Sequence, residues 1–211
     1  MSGDIHDIRG LHVIVDGEHT LGRTHADVAL AALRGGARVI QLRDKRLTVR
    51  ELYPIALELR EITREHGAVF IVNDSVELAL ASGADGVHLG QGDMPAGVAR
   101  RLMGPDRIIG VSTHSVEEAT AAERDGADYI GFGPMFVTAT KDAGAAKGPE
   151  GLKLVRGCVR IPVVAIGGIK ASNAKQVIDA GADGIAVITA VTAAEDVEAA
   201  AREIAGQFGV H

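Results

Sequence analysis

Residue types that are typical of several other classes of protein are scarce in this chain. A lone cysteine, Cys158, excludes an internal disulfide framework and favours a reducing compartment. Aromatic residues make up only 3% of the 211 residues and tryptophan is missing, so platforms for stacking nucleic-acid bases are not expected. The net charge of -6 also opposes general binding to polyanions, although it leaves room for a local cationic pocket.

Membrane and export signals are missing from the sequence as well. No apolar run approaches the roughly 18 residues that a membrane-spanning helix needs. The chain starts with polar and acidic residues, unlike a signal peptide. We therefore expect a cytoplasmic protein with neither a membrane nor a nucleic acid as a partner. The sequence leaves the number of subunits open, and a homo-oligomer is compatible with it.

What the chain does contain is mainly aliphatic, with hydrophobic residues at 46%. Eight short aliphatic runs, from Leu11–Val15 to Ile185–Ile188, alternate with eight predicted helices, the last at Ala193–Phe208. Such uninterrupted runs are typical of parallel strands that are covered on both faces. Eight βα units close most naturally into a single TIM-type (β/α)8 barrel over residues 1–211, and a doubly wound open sheet is the alternative.

An internal repeat supports the barrel. Gly-Ala pairs that begin at Gly36, Gly83, Gly126 and Gly181 each follow a predicted helix and precede a predicted strand. The strands concerned are the second, fourth, sixth and eighth. A motif in every second unit fits a barrel, because odd and even strands contribute alternate layers to its interior.

The second predicted strand, Val39–Leu42, introduces polar groups that need partners. Gln41 and Arg43 lie two residues apart, so their side chains share one face of the strand. Lys45 follows where the strand ends. Because an unpaired buried guanidinium costs on the order of several kcal/mol, this group of donors predicts an anionic ligand.

Two aspartates predict a metal at the same end of the barrel. Active sites of such barrels lie at the carboxyl ends of the strands, where Asp74 and Asp93 are expected on neighbouring strands. Hard carboxylates with no cysteine or histidine pair beside them suit Mg²⁺. The cations Arg43, Lys45 and Lys141 then suit phosphate oxygens. Helix capping is the alternative for both aspartates, and a solvated loop position is a further alternative for Asp93. For Lys45 and Lys141 the alternative is a solvated surface position.

A second anion site is predicted after the last two strands. Gly167-Gly168 and the turn at Ile188-Thr189 fall where such barrels bind phosphate through backbone N–H groups. The loop 133–148 is long, and we expect it to act as a lid that carries Lys141 into the site, with a disordered crossover as the alternative.

Two histidines have open roles in this interpretation. His88, on the fourth strand, is expected to be a hydrogen-bonded core residue rather than a catalyst. His114, just after the fifth strand, is compatible with proton transfer, with helix capping or with exposure to solvent.

Taken in order, the motifs resemble those of the thiamine phosphate synthase family over about residues 11 to 190. They are Gln41-Leu-Arg-Asp-Lys45, Asn73-Asp74, Gly83-Ala-Asp-Gly-Val-His-Leu-Gly-Gln-Gly-Asp93, Gly110-Val-Ser112, Gly131-Phe-Gly-Pro134, Thr138-Ala-Thr-Lys141, Ile166-Gly-Gly-Ile169 and Gly181-Ala-Asp-Gly-Ile185. Asp44 stands where the family usually has glutamate, and Thr189 where it often has serine. Both departures keep the charge or the hydroxyl group.

The resemblance implies an enzyme that joins hydroxymethylpyrimidine diphosphate to a thiazole phosphate, forming thiamine monophosphate and diphosphate. It implies Mg²⁺ held by Asp74 and Asp93. The residues that it assigns to the pyrimidine diphosphate are Gln41, Arg43, Lys45, Asn73, Ser112 and Lys141, with Asp44 as a further substrate-binding residue. Arg43, Lys45, Lys141 and Ser112 are the implied catalytic residues. The residues that it assigns to the thiazole phosphate are Thr138, Thr140, Gly168, Ile188 and Thr189.

The implied chemistry agrees with the residues that are present. Once its charge is neutralised, diphosphate can depart and leave a benzylic-type cation. The thiazole nitrogen then attacks this cation without the help of a strong general base. A related thiazole tautomerase is one alternative, and it needs a base such as His114 but no metal and diphosphate set. A non-catalytic barrel that binds a phosphorylated ligand is the other.

Overall fold

A closed barrel of eight parallel strands forms the centre of the molecule. The computed structural model describes residues 8–137 and 145–209. Each strand pairs with the next one along the chain, and β8 closes the barrel on β1. The strands are β1 Gly10–Val15, β2 Val39–Leu42, β3 Val69–Asn73, β4 Gly86–Leu89, β5 Ile108–Thr113, β6 Tyr129–Phe132, β7 Val163–Ile166 and β8 Gly184–Val187. The predicted (β/α)8 barrel is confirmed, and the open sheet is wrong.

Helices follow the strands around the outside of the barrel. They are α1 His25–Arg34, α2 Val49–Glu65, α3 Val76–Ser82, α4 Ala96–Met103, α5 Val116–Arg124, α6 Gly148–Arg156, α7 Ala171–Asp179, α8 Thr189–Thr192 and α9 Val197–Ala205. Among the residues that the structure describes, no helix combines the length and the apolar character needed to cross a membrane.

The end of the chain differs from the prediction of one helix over Ala193–Phe208. The short helix α8 begins at Thr189, and α9 begins only at Val197. The reason is local, because the Asp196 side chain accepts a hydrogen bond from the Ala199 backbone at 2.9 Å and so caps α9.

Alternation along the strands separates two apolar regions. Residues such as Ile40 and Val72 point outward and pack under the helices. Residues such as Val39, Ile71 and Val164 point inward and fill the lower part of the barrel. Inward positions nearer the carboxyl ends carry polar side chains instead. The apolar interior therefore forms the floor of a polar site.

The predicted repeat has a structural cause at the opposite, amino end of the barrel. In three of its copies an aspartate follows the Gly-Ala pair, accepts a hydrogen bond from a backbone N–H near the start of a neighbouring strand, and pairs with an arginine. The sets are Asp85 with Phe70 and Arg60, Asp128 with Ile109 and Arg100, and Asp183 with Val163 and Arg156. The copy before β2 has Arg38 at this position. The repeat thus ties adjacent strands together away from the site.

Asp85→Ala is expected to lower the free energy of unfolding by about 1–3 kcal/mol. The substitution removes the acceptor for the Phe70 N–H at 2.8 Å and for Arg60 Nη1 at 2.9 Å, leaving a part-buried donor and cation without this partner. Urea unfolding of the variant should be compared with that of Asp106→Ala, which alters an exposed aspartate. Equal midpoints for the two variants would contradict a structural role for the repeat.

Candidate functional site

A cavity of about 650 Å³ opens at the carboxyl ends of the strands. The predicted site residues that line it are Gln41, Arg43, Lys45, Asn73, Asp74, Asp93, Ser112, Gly168, Ile188 and Thr189. They come from six different strands or the loops that follow them, so the fold brings together residues far apart in the sequence. The volume is within the usual range for a small-molecule site.

Three predicted site residues, Thr138, Thr140 and Lys141, lie outside the described residues. The lid therefore stays a prediction, but both flanks of its loop are described. On one flank, Met135 and Phe136 donate backbone hydrogen bonds to β7 and the residue after it, at 2.9 and 3.0 Å. On the other flank, the Lys147 N–H donates to the Pro134 carbonyl at 2.8 Å. The loop thus begins and ends beside the cavity.

Asp44 does not line the cavity, in contrast to its neighbours in the motif. Alternation directs Arg43 inward and Asp44 outward, where it is buried and accepts hydrogen bonds from Arg46 and from the Gly17 N–H at 3.0 Å. Burial alone would raise the pKa of Asp44, but these hydrogen bonds outweigh it and hold the pKa at about 2. Asp44 therefore stays charged, and its hydrogen bond from Gly17 links the loop after β1 to the loop after β2, which carries Lys45.

Gln41 and Asn73 lie side by side on the inner face of the barrel. The Gln41 amide donates to the Asn73 side-chain oxygen at 2.7 Å. The register of β2 with β3 sets Gln41 opposite Ile71, one inward position below Asn73. This hydrogen bond fixes the orientation of both amides before a ligand binds.

The two aspartates are held by the backbone and do not cap helices. Asp74 has a positive φ of 65°, a strained conformation for a residue with a side chain, and its N–H donates to the His88 carbonyl at 2.8 Å. Ser75 caps α3 in its place. Asp93 accepts a hydrogen bond from the Gly90 N–H at 2.6 Å. The capping alternative is therefore wrong for both residues.

The carboxyl groups of Asp74 and Asp93 lie next to each other, with cations at one side. Burial and the Asp93 carboxyl raise the pKa of Asp74, while Lys45 and Arg43 oppose the shift. Lys45 Nζ lies 3.7 Å from Asp74 Oδ2. Two adjacent carboxylates that repel each other are suited to a shared cation.

The Gly167-Gly168 pair lies opposite the aspartates, beside the loop after β6. Both residues have positive φ, 97° and 68°. A side chain on Gly167 would lie 2.8 Å from Pro134, and one on Gly168 would lie 2.8 Å from the Val137 carbonyl. Glycine is therefore required on both conformational and steric grounds. Thr189 begins α8 at the neighbouring wall of the cavity.

The residues inside the cavity that the sequence interpretation missed include two with polar side chains, His12 and Tyr129. His12 is buried and hydrogen-bonds the Ile8 carbonyl, and burial lowers the pKa of its ring to about 4. Glycines within buried strands were the available signal, since Gly110 gives the space that the Tyr129 ring occupies.

Both histidines with open roles also reach the cavity. His88 hydrogen-bonds Tyr129 and Ser112, so it is a bonded interior residue as expected, but one in contact with a predicted site residue. His114 Nδ1 lies 2.8 Å from the Gly133 carbonyl, which attaches the ring to the start of the predicted lid.

Comparison with known proteins agrees with this geometry. The family model described as thiamine monophosphate synthase matches residues 11–191. A thiamine-phosphate synthase of Chloroflexus aurantiacus is 54% identical over 92% of this chain and 90% of its own. One from Moorella thermoacetica is 52% identical over 92% of this chain and 93% of its own.

Solved structures show the same relationship. Thiamine phosphate pyrophosphorylase from Pyrococcus furiosus superposes with a TM-score of 0.89 at 45% identity, covering 98% of each chain. A 3-hexulose-6-phosphate synthase superposes with a TM-score of 0.67 at 19% identity, which shows a shared fold only.

Proposed function

The chain belongs to the thiamine monophosphate synthase family, and from that premise we propose how its site works. It takes hydroxymethylpyrimidine diphosphate and a thiazole phosphate, forms thiamine monophosphate and releases diphosphate. The observation that carries this proposal is the adjacent carboxyl pair Asp74 and Asp93 beside Lys45 and Arg43 in one cavity. A pocket that contains both acidic and basic groups suits a metal-bound diphosphate better than a pocket with only one of these sets would.

The site fits Mg²⁺ through Asp74 and Asp93. Their mutual repulsion contributes to the raised pKa of Asp74, and a divalent cation held by these two carboxylates would relieve it. Within residues 8–137 and 145–209, no group of three or more histidine, cysteine or acidic side chains is placed to hold a metal ion, so diphosphate oxygens and water would complete the coordination. When bound, Mg²⁺ supplies positive charge to the diphosphate group.

The cationic side chains act on the leaving group. Arg43 and Lys45, at the end of β2, bind the diphosphate oxygens and stabilise the negative charge that grows as the C–O bond breaks. Each charged contact contributes about 1.5–3 kcal/mol, so losing one slows the reaction roughly 10- to 100-fold. Gln41 and Asn73, already fixed by their hydrogen bond, orient the pyrimidine substrate.

The second substrate needs alignment rather than activation. The thiazole nitrogen carries a free electron pair and attacks the carbon left by diphosphate without losing a proton. Backbone groups around Gly168, Ile188 and Thr189 hold its phosphate. The reaction therefore needs no nucleophilic side chain activated by a base, and alignment of the two bound molecules is the proposed source of the rate.

Diphosphate release tests the function directly. Purified protein should be incubated with the two substrates, singly and together, with and without Mg²⁺, and both diphosphate and thiamine monophosphate measured. The proposal requires equal amounts of the two products, formed only when both substrates and the metal are present. Isomerisation of the thiazole phosphate alone would identify a tautomerase, and binding without turnover would identify a non-catalytic barrel.

Lys141→Ala is expected to lower kcat by about 10- to 100-fold while changing the KM for the thiazole phosphate little. The lysine is proposed to meet the diphosphate once the loop 133–148 closes, so its charge matters most in the transition state. Lys175→Ala, which alters an exposed lysine of α7, is the control. A larger effect on thiazole phosphate binding than on kcat would move Lys141 to the other substrate.

We further propose that the protein works in the cytoplasm, alone or as a homo-oligomer. The exposed free thiol of Cys158 supports a reducing compartment. Size-exclusion chromatography with light scattering would determine the number of subunits.

A further inference from the structure

We propose that His88 is a positioning residue that orients the Ser112 hydroxyl, so that the serine proton points into the cavity toward an oxygen of the pyrimidine diphosphate. Tyr129 sets the tautomer of His88 and thereby the direction of the whole chain of hydrogen bonds. The inference rests on the proposed function, since Ser112 is predicted to contact that substrate.

Three side chains from three adjacent strands form the chain. His88 lies on β4, Ser112 on β5 and Tyr129 on β6. His88 Nδ1 lies 2.9 Å from the Tyr129 hydroxyl, and His88 Nε2 lies 2.9 Å from Ser112 Oγ. All three side chains line the cavity, with Tyr129 the most deeply buried at 1% exposure.

The direction of the protons follows from satisfying each polar atom. Burial raises the pKa of Tyr129 well above its usual range, so its hydroxyl keeps its proton. A buried hydroxyl proton without an acceptor is costly, and His88 Nδ1 lies in hydrogen-bonding range of it. Nδ1 must then be the acceptor, which places the ring proton on Nε2.

The same reasoning applies to the next hydrogen bond. With its proton on Nε2, His88 donates to Ser112 Oγ. The serine oxygen is thereby occupied as an acceptor, and its own proton is directed elsewhere. The reverse arrangement, or a doubly protonated ring, would direct an imidazole proton at the Tyr129 hydroxyl and would remove the acceptor of the tyrosine proton.

The direction decides whether Ser112 attracts or repels an anion. A hydroxyl that accepts from His88 donates its proton outward and stabilises a phosphate oxygen. A hydroxyl that donates to His88 would present lone pairs to the same oxygen. Hydrogen bonds in a chain also polarise one another, so a donor strengthened by His88 binds an anion more tightly than an isolated serine does.

The barrel leaves space for this arrangement at two glycines within strands. A side chain on Gly110 would lie 2.1 Å from Tyr129 Cζ, and one on Gly131 would lie 3.1 Å from His88 Cε1. Gly131 lies opposite Ser112 in the pairing of β5 with β6. Both rings therefore lie inside the barrel because their strand neighbours have no side chains.

A double-mutant cycle separates positioning from simple packing. Tyr129→Phe keeps the ring and removes the hydroxyl, and we expect it to lower kcat/KM for the pyrimidine diphosphate about 3- to 10-fold, with the KM for the thiazole phosphate unchanged. Ser112→Ala should lower it about 10- to 100-fold. Adding Tyr129→Phe to Ser112→Ala should change it less than about 2-fold, because both act on one contact.

The control is Tyr53→Phe, which alters the other tyrosine of the chain, exposed on α2, and should leave all constants unchanged. Effects of Tyr129→Phe that simply multiply those of Ser112→Ala would overturn the proposal. So would equal losses for both substrates, which indicate general loosening of the barrel.

The tautomer itself can be read from the nitrogen chemical shifts of ¹⁵N-labelled histidine in the substrate-free protein, with His88→Gln identifying the signal. The expected state has the proton on Nε2, and Tyr129→Phe should shift the population toward Nδ1. A wild-type ring protonated on Nδ1 contradicts the proposal. This measurement does not depend on turnover, so a wild-type protein that forms no product would overturn the proposed function without affecting the reading of the tautomer.

Discussion

Asp93→Ala is expected to lower turnover at saturating Mg²⁺ by about 100-fold or more, while the protein stays folded. The Asp93 carboxyl lies at the mouth of the barrel, beside the Asp74 carboxyl, and accepts a hydrogen bond from the Gly90 N–H at 2.6 Å. Removing one of the two proposed Mg²⁺ ligands would leave a single protein carboxylate, which would hold the ion only weakly against water. The diphosphate then leaves with less of its charge neutralised.

The measurement is the rate of diphosphate release against Mg²⁺ concentration. Asp106→Ala, which alters an exposed aspartate, should keep the wild-type curve. The expected Asp93→Ala curve is shallow and shifted to much higher metal concentrations. A variant with unchanged Mg²⁺ dependence would show that the metal, if required, binds elsewhere.

Asp93→Asn is expected to keep or raise the stability of the metal-free protein, although it removes activity. Burial and the neighbouring carboxyl raise the pKa of Asp74 above its ordinary value. The folded state therefore loses stability as the pH rises from the ordinary pKa of an aspartate through the raised pKa of Asp74. Asparagine removes the second charge and can still accept from Gly90. Thermal unfolding at pH 7 without metal should therefore give a Tm equal to or above that of the wild type, together with lost activity.

Gly110→Ala is expected to lower the free energy of unfolding by about 3 kcal/mol or more. The added carbon would lie 2.1 Å from Tyr129 Cζ and 2.3 Å from Cε1. The tyrosine ring cannot shift without breaking its hydrogen bond to His88 or disturbing interior residues such as Val164 and Ile108, among which it is 1% exposed. Overpacking at such a position strains the barrel itself.

Gly97→Ala is the matched control for this variant. Its added carbon would meet only the Asp125 carbonyl, at an ordinary 3.6 Å, and the residue lies in α4, where alanine is the better helix former by up to about 1 kcal/mol. Denaturant unfolding should therefore separate the two variants by several kcal/mol. A Gly110→Ala protein as stable as the control would mean that Tyr129 is free to repack.

The fold was predictable because its signals are local and repeated. Aliphatic runs at strand length, capping residues such as Thr48 and Ser115, and the Gly-Ala pairs each report on a few neighbouring residues. The split of the last predicted helix was missed, because the cap at Asp196 lies inside a run of good helix formers.

The lining of the cavity was predicted in part. Arg43, Lys45, Asp74 and Asp93 carry charges at strand ends, and the rules of the barrel place such residues at one rim. Asp44 belongs to the same motif, yet it pairs with Arg46 behind the rim.

The amino-acid sequence by itself determined the barrel, the rim that holds the chemistry and the charges available there, because strand alternation and chain order follow from neighbouring residues. Only the tertiary structure decided which polar groups meet. The hydrogen bonds from Tyr129 to His88 and from His88 to Ser112 join three strands, and the contact between Asp74 and Asp93 joins two loops. Such distances depend on register, side-chain rotamers and the space left by glycines elsewhere, which no single stretch of the chain specifies.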